Sequence, residues 1–257
     1  IMVGLAYKLS AVPFHFWAPD VFTGASAEVN AFLSIASKAG AMALLIRVAI
    51  GFGYGAVPIE TKSVVEPTKV SLIAEAGQQF VAKADVAPAK DAAKPTLTNA
   101  ERITALAPIR QFIVWVLAVM AMLTATFGNL AAYGQTNIKR MLAYSTIAHA
   151  GYMIMAVAAG LALAGTDNDK AQRALAAVPF YLATYLFMNL TAFGAVAYLR
   201  NTLRSEEYSA YSGLIRTNPG LTICLSIALV SLIGLPPLAG FVGKLYIFAG
   251  LTEAMFT

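Results

Sequence analysis

Three lysines occupy positions in or beside apolar segments, where a charged side chain is costly. Lys38 lies well inside the apolar run 29–53, Lys8 follows a shorter run, and Lys244 lies next to a third one. A lysine at mid-membrane costs about 3 kcal/mol or more. Loss of water also lowers the pKa of an amine from its usual value of about 10.4. Such an amine can accept and release protons near neutral pH, so this pattern predicts a proton relay.

Each of these lysines could instead reach the membrane surface. A lysine can bury its alkyl chain in lipid and place its ammonium group in the headgroup region. This alternative applies least to Lys38, whose amine is farthest from either surface, and more to Lys8 and Lys244. It would reduce the three residues to membrane anchors.

His149 is a further candidate for proton transfer. It lies in an apolar run, and an imidazole titrates near neutral pH, at about 6.5. We assign His149 to the relay, with a neutral histidine bonded to a neighbouring helix as the alternative. His15, close to Trp17 and Asp20, fits an interfacial or gating role as well as a channel role.

The sequence offers little for a metal site or a redox cofactor. It contains two histidines and one cysteine, Cys224, and has neither a CxxC nor an HExxH motif. A single cysteine also excludes a disulfide within the chain. We therefore expect no cofactor and no metal to be bound by this chain.

The composition indicates that lipid surrounds much of the chain. Hydrophobic residues make up 59% of the 257 residues and charged residues 12%, which is about half the charged share of a soluble domain. A membrane span needs about 20 mostly apolar residues in a helix, because lipid cannot hydrogen-bond a bare backbone. Six segments fit this requirement: 1–17, which is incomplete, 29–53, 111–138, 141–166, 174–199 and 217–243.

Prolines interrupt the first and the last of these segments. Pro13 lies in the first, and residues 234–240 (GLPPLAG) lie in the last. A proline removes a hydrogen-bond donor and frees backbone carbonyls, which are tolerated at membrane depth only inside protein or beside water. Broken helices with a charge nearby recur in ion transporters. Lys8 and Lys244 each follow this pattern, which favours transport.

Residues 55–108 differ from the rest of the chain. They are rich in charged residues of both signs and in alanine, proline and threonine, so they cannot bury a core of their own. We predict an extramembrane insertion, with a possible short surface helix over residues 70–84. An accessory loop without chemistry is its simplest interpretation.

Basic residues in the short loops predict the orientation of the chain. Those that follow the third and fifth segments indicate the cytoplasmic side or its organellar equivalent, which puts the insertion on the outer face. These residues are Lys139, Arg140, Arg200, Arg204 and Arg216.

Four motifs resemble those of a known family. They are residues 7–21 (YKLSAVPFHFWAPDV), 31–38 (AFLSIASK), 137–149 (NIKRMLAYSTIAH) and 234–244 (GLPPLAGFVGK). Together they resemble subunit N, also called subunit 2, of respiratory complex I (NADH:quinone oxidoreductase), an antiporter-like membrane subunit. The larger antiporter-like subunits and the multisubunit cation/proton antiporters tend to carry Leu-Pro-Asp-Ala after the tryptophan. Residues 18–21 (APDV) and Lys38 therefore favour subunit N.

Two features depart from the family pattern. Residues 22–24 (FTG) and 26–28 (SAE) replace the Tyr-Glu-Gly and Pro-Thr-Pro of many relatives. The insertion is also unusual, because relatives are compact there. Both departures concern loops and leave the lysines unaffected.

The resemblance implies an all-α polytopic membrane protein, an antiporter-like inverted-repeat helix bundle with two discontinuous helices. Residues 1–54 would form the two C-terminal helices of the first repeat, residues 55–108 the insertion, and residues 109–257 four helices of the second repeat. The chain starts at Ile1 inside an apolar stretch, without a signal-peptide n-region or cleavage site. We therefore expect it to lack the N-terminal helices of the first repeat.

The resemblance also implies a role for each candidate residue. Lys8 would belong to the first half-channel, paired with a glutamate on an earlier helix that this chain lacks. Lys38 would be the connecting central lysine, and Lys244 the lysine of the exit half-channel. His149 would belong to the central hydrophilic axis.

The implied function is proton translocation by a non-redox subunit of NADH:quinone oxidoreductase. FMN, iron–sulfur clusters and quinone are expected in partner subunits. The partners would be neighbouring antiporter-like and small membrane subunits, in the bacterial plasma membrane or the mitochondrial inner membrane. The basic residues are too scattered for a nucleic-acid site. The alternative is a subunit of a multisubunit sodium/proton antiporter, and a spacer that has lost pumping is a third hypothesis.

Overall fold

The described part of the chain is built from helices. A computed structural model describes residues 2–54 and 99–256. Its helices are α1 (Met2–Lys8), α2 (Trp17–Gly24), α3 (Ala27–Tyr54), α4 (Asn99–Tyr133), α5 (Ile138–Leu163), α6 (Asn168–Leu203), α7 (Leu214–Thr217), α8 (Pro219–Ile233) and α9 (Ala239–Met255), with a 3-10 turn at Tyr208–Tyr211. The prediction of an all-α protein is confirmed for these residues.

Within residues 2–54 and 99–256, four helices are long and apolar enough to cross a membrane. They include Ala27–Phe52 of α3, Thr104–Tyr133 of α4, and all of α5 and α6. A helix of 26 residues, the length of α5, extends about 39 Å. That length exceeds the hydrocarbon core of about 30 Å. The predicted segment 1–17 contains α1 and ends where α2 begins, and the predicted segment 217–243 contains α8 and the start of α9.

Both predicted helix breaks are present. Helix α1 ends at Lys8 and α2 begins at Trp17, with turns between them. The break is attached to α4, because the Val12 backbone N–H donates to Thr124 Oγ1 at 3.0 Å. Helix α8 ends at Ile233 and α9 begins at Ala239.

Gly234 permits the second break. Its φ of +88° lies in the left-handed region, which glycine adopts without steric cost. A Cβ there would also lie 3.0 Å from Cδ of Lys244. The residue at this break must therefore lack a bulky side chain and adopt a left-handed backbone conformation, so that the Lys244 side chain can pack against it.

Most segment boundaries differ by a few residues or more from the sequence-based prediction, among them both ends of α4. Helix α4 begins at Asn99 and runs through Pro108, so residues 99–108 belong to a helix rather than to the insertion. The third segment ends at Tyr133 rather than at residue 138. The cause is Asn137, whose Oδ1 accepts hydrogen bonds from the N–H groups of Lys139 and Arg140 and so starts α5. The helix proposed for residues 70–84 lies outside the described residues.

Helix α5 occupies the centre of the bundle and packs closely against α4. A Cβ on Gly128 would lie 2.6 Å from the backbone N of Ala148, and one on Gly151 would lie 2.6 Å from the backbone N of Ala125. Small residues allow helix backbones to approach each other in lipid, where van der Waals packing replaces the hydrophobic effect. This contact fixes the rotation of α5 and therefore the direction of its polar side chains.

We expect Gly151→Ala to destabilise the bundle. The added methyl group would overlap the α4 backbone, and overpacking of this kind costs about 1–3 kcal/mol. The matched control is Gly194→Ala on α6, where an added Cβ meets nothing within 4 Å. The thermal unfolding midpoint in detergent should fall for Gly151→Ala and not for Gly194→Ala. Equal midpoints would contradict the close α4–α5 contact.

Candidate functional site

One face of α5 carries three groups that face lysines from other helices. Thr146, His149 and Tyr152 follow one another at spacings of three residues, so they form a row along one side of the helix. Lys38 of α3 reaches the start of this row and Lys244 of α9 reaches its end. His149 lies between them.

Lys38 is buried, as the sequence predicts. Its side chain is 3% exposed, and its Nζ donates a hydrogen bond to the backbone carbonyl of Thr146. The Thr146 hydroxyl does not compete for the amine, because it donates to the Ala143 carbonyl at 2.8 Å. A carbonyl can accept a hydrogen bond from an ammonium, more strongly, and from a neutral amine, more weakly, so this partner is compatible with both protonation states.

His149 is also buried, at 3% exposed, and aromatic rings surround it. Its Nδ1 is hydrogen-bonded to the Tyr181 hydroxyl. The ring centroids of Tyr185 and Tyr152 lie 4.9 Å and 5.7 Å from that of His149. Both the predicted proton-transfer role and the alternative, a histidine bonded to a neighbouring helix, are compatible with this position.

A polar network missed by the sequence analysis extends this site along α6. Asn189 Nδ2 donates to the Tyr185 hydroxyl at 2.9 Å and to Ser34 Oγ at 2.7 Å. Ser34 lies one turn before Lys38 on α3, and all of these side chains are buried. Asn189 could have indicated this network from the sequence, because a polar side chain in an apolar span needs a hydrogen-bonding partner. Its partners could not be known without the packing of α3 against α6.

Lys244 caps the C-terminus of α8, the first half of the broken helix. Its Nζ donates to the carbonyls of Leu232 and Ile233, both at 2.9 Å. These are the last carbonyls of α8, which lack partners within their own helix and carry partial negative charge. The same amine lies 4.8 Å from the ring centroid of Tyr152, in the geometry of a cation–π contact.

A cavity of about 470 Å³ lies beside Lys244 and His149. Its polar wall is formed by Asn129, Gln135, Ser145, His149, Tyr152, Tyr208 and Lys244. Gln135 and Tyr208 belong to the loops near Lys139, so the cavity extends towards that end of the bundle. It does not by itself connect Lys244 with the opposite face, and the exit role assigned to this lysine stays a prediction.

Lys8 and His15 lie apart from this cluster. Lys8 is the last residue of α1, and its side chain is exposed in the part of the chain that the structure describes. His15 is partly buried in the first break, with its ring centroid 4.4 Å from that of Phe127 on α4. The structure thus brings Lys38, His149 and Lys244 together, and it does not bring Lys8 to them.

Lys139 has a different position from the one expected of a loop charge. It is 1% exposed, and its Nζ lies 2.8 Å from Glu206 Oε1 and donates to the carbonyls of Thr23 and Ala25 at 3.0 Å and 2.9 Å. The Lys139 side chain points inward because α5 begins at Ile138 rather than at residue 141, so that Lys139 lies within the helix. Arg200 also pairs with Glu206, at 3.0 Å, so the loops after α4 and α6 meet at one end of the bundle, as predicted.

We expect Lys139→Ala to destabilise the protein strongly. The change leaves two carbonyls and part of Glu206 without their buried partner, and breaking a buried ion pair costs about 3–5 kcal/mol. Arg140→Ala is the control, because Arg140 and Asp20 form an exposed pair at 3.5 Å that is worth about 1 kcal/mol or less. The thermal unfolding midpoint should fall much further for Lys139→Ala. Similar falls for both variants would contradict the buried pair.

Comparisons with known proteins give consistent results. A family model described as NADH:quinone oxidoreductase/Mrp antiporter, transmembrane, matches residues 1–59 and 95–257. The unmatched residues, 60–94, lie within the predicted insertion. The chain is 37% identical over 257 residues to NADH-quinone oxidoreductase subunit N 2 of Solibacter usitatus, covering 99% of this chain and 39% of that protein.

Two solved structures share the fold. A chain of respiratory complex I from Thermus thermophilus with bound Aureothin matches with a TM-score of 0.62 and 31% identity, covering 98% of this chain and 41% of that one. A chain of the Mrp complex from Dietzia sp. matches with a TM-score of 0.68 and 20% identity, covering 99% and 36%. The chain therefore spans about two fifths of the length of the proteins it matches.

Proposed function

The chain belongs to the NADH:quinone oxidoreductase/Mrp antiporter transmembrane family, and we propose that it is part of a proton-translocating N subunit of NADH:quinone oxidoreductase. It is an integral membrane protein with an antiporter-like helix bundle. The name of its Solibacter usitatus relative and its 31% identity to a chain of Thermus thermophilus complex I support the assignment to subunit N.

One observation carries the proposal. Lys38 of α3 and Lys244 of α9 reach the same face of α5, with His149 between the two contacts. Three groups able to bind a proton thus follow one another, from the buried Lys38 and His149 to the partly exposed Lys244 beside the cavity. In a low-dielectric interior, positive charge on one of them disfavours positive charge on the next.

This electrostatic coupling gives a mechanism for moving protons. In the proposed relay Lys38 receives a proton, the charge repels a proton from His149, and Lys244 is the next acceptor. Once Lys244 has released its proton, Lys38 and His149 can be protonated again. The carbonyl partners of both lysines remain good acceptors throughout, so neither amine needs a new hydrogen-bond partner when it changes its charge.

We further propose that Lys8 joins the relay with a partner from outside this chain. Its exposed position at the end of α1 leaves its amine accessible to a further helix. Redox chemistry would occur in partner subunits, which would carry FMN, iron–sulfur clusters and quinone. The membrane would be the bacterial plasma membrane or the mitochondrial inner membrane.

A subunit of a multisubunit sodium/proton antiporter is the second candidate. The likeness to the Mrp complex supports it at the level of the fold alone, because the identity is 20%. The two candidates differ in what drives transport. Redox coupling predicts proton movement that requires NADH, and antiport predicts proton movement that requires a cation gradient.

The test uses the full-length protein within its isolated complex. The complex is reconstituted into vesicles, and internal acidification is followed after NADH is added and, separately, after a sodium gradient is imposed. We expect acidification with NADH, without any requirement for sodium. Acidification with the sodium gradient alone, and none with NADH, would contradict the proposed function and favour the antiporter.

A further inference from the structure

Two of the cavity's polar side chains that lie outside the relay, Asn129 and Tyr152, are hydrogen-bonded to each other. Asn129 of α4 donates through Nδ2 to the Tyr152 hydroxyl at 2.7 Å and to the Ala125 carbonyl at 2.8 Å. The second bond fixes the amide against its own helix, so the first one aims it at the phenol. The Tyr152 hydroxyl therefore has a defined position on the cavity wall.

Tyr152 is also in contact with both of its neighbours in the relay. Its ring centroid lies 5.7 Å from that of His149, with the two planes nearly perpendicular at 82°. The amine of Lys244 lies 4.8 Å from the centre of the same ring. His149 and Lys244 have no direct hydrogen bond to each other among the described residues, and Tyr152 is the side chain that both contact.

The hydrogen-bonding capacity of the phenol matters here. A tyrosine hydroxyl offers one donor and two acceptor positions. Asn129 fills one acceptor position, which leaves one acceptor position and the hydroxyl hydrogen available to water in the cavity that Tyr152 lines. The cavity, about 470 Å³ in volume, is large enough for several waters, since each occupies about 30 Å³ in the liquid.

We propose that the Tyr152 hydroxyl, held by Asn129, passes protons between His149 and Lys244 through water in this cavity. This inference rests on the proposed function and adds one transferring group and one positioning residue to it. Asn129 acts only through the phenol, because its amide touches neither His149 nor Lys244 in the contacts described above.

The proton balance of the step is simple. The protonated imidazole of His149 gives its proton to a neighbouring water, and that water passes one of its own protons to the free acceptor position of the phenol oxygen, so that the water is left neutral. The phenol releases its own hydrogen to a water on the Lys244 side, and that water protonates the amine. The phenol is neutral before and after each passage, and its O–H bond rotates back to restore the starting arrangement. No oxidant or reductant takes part.

The test is a double-mutant cycle on the isolated complex in vesicles. Tyr152→Phe keeps the ring under Lys244 and removes the hydroxyl, and we expect protons translocated per NADH oxidised to fall about tenfold. Asn129→Ala should lower the same ratio about fivefold, the factor expected from loss of one hydrogen bond. The double variant should equal Tyr152→Phe alone, because Asn129 has no target without the hydroxyl.

The control is Tyr246→Phe, which removes a hydroxyl from an exposed ring two residues after Lys244. It should leave the ratio unchanged. Normal pumping by Tyr152→Phe would overturn the proposal, as would an additive loss in the double variant, which would show a general packing role for Asn129. Loss of pumping in Lys38→Met with normal pumping in Tyr152→Phe would overturn this inference alone. Normal pumping in all variants would overturn the proposed function as well.

Discussion

Replacing Lys38 by methionine is expected to reduce proton translocation at least about tenfold, because a positioned proton-transferring group typically contributes about 10²–10⁴-fold to a rate. Methionine has a similar length and no charge, and it can occupy the buried site without the cost of desolvating an ammonium group. The amount of assembled complex should therefore be normal. The measurement is internal acidification per NADH oxidised in vesicles.

Arg47→Met is the matched control for this variant. Arg47 lies on the same helix as Lys38, and its side chain is exposed. Its replacement should leave the pumping ratio unchanged. An equal loss in both variants would indicate a general effect of altering α3 and would count against a specific role for Lys38.

Replacing Lys244 by methionine should have a comparable effect on pumping, of about tenfold or more. It should also have a second effect, because the carbonyls of Leu232 and Ile233 lose the amine that joins them to α9. These carbonyls are only partly buried or exposed, and loss of a hydrogen bond in such a position costs about 0.5–1.5 kcal/mol. We therefore expect a lower thermal unfolding midpoint together with the loss of pumping, in contrast to Lys38→Met.

The control for Lys244 is Arg173→Met, which also removes a cationic contact to α9. Arg173 and Glu253 form a surface pair at 3.6 Å, and exposed pairs contribute about 1 kcal/mol or less. Pumping and the unfolding midpoint should both stay near normal in this variant. A Lys244→Met complex that pumps normally would contradict the place of this lysine in the relay.

The sequence predicted the features that depend on single residues. Both breaks could be located from Pro13 and from residues 234–240, where prolines fall at an interruption between helices. Pro108 and Pro179, by contrast, lie inside α4 and α6, so a single proline does not by itself predict a break. A charge in an apolar run must be buried or reach the surface. This reasoning predicted a buried Lys38, and the length of the run on either side of it made the buried position the better choice.

The features that depend on helix packing could not be predicted in the same way. Tyr185 and Asn189 lie in an apolar span, and the sequence does not show which side chains they contact. Their contacts with each other and with Ser34 depend on how α6 packs against α3. The sequence pattern indicates a loop position for Lys139. Whether its side chain points outward or inward depends on where α5 starts, and that start is set by the cap at Asn137. A shift of one or two residues at a helix start changes the face on which a side chain lies.

Lys8 illustrates a further limit. The residues around it resemble a family motif closely, yet its side chain is exposed and separate from Lys38, His149 and Lys244. A carboxylate on another helix is the partner that the resemblance implies. The role of Lys8 in the relay stays a prediction.

The central claim is that Lys38 works by gaining and losing a proton, and Lys38→Arg tests it most directly. An arginine keeps the positive charge and the ability to donate to the Thr146 carbonyl, but it stays protonated in proteins. The measurement is the number of protons translocated per NADH oxidised by the assembled Lys38→Arg complex in vesicles. Proton exchange at Lys38 predicts a ratio as low as that of Lys38→Met. A normal ratio would show that a fixed charge is sufficient and would contradict the relay.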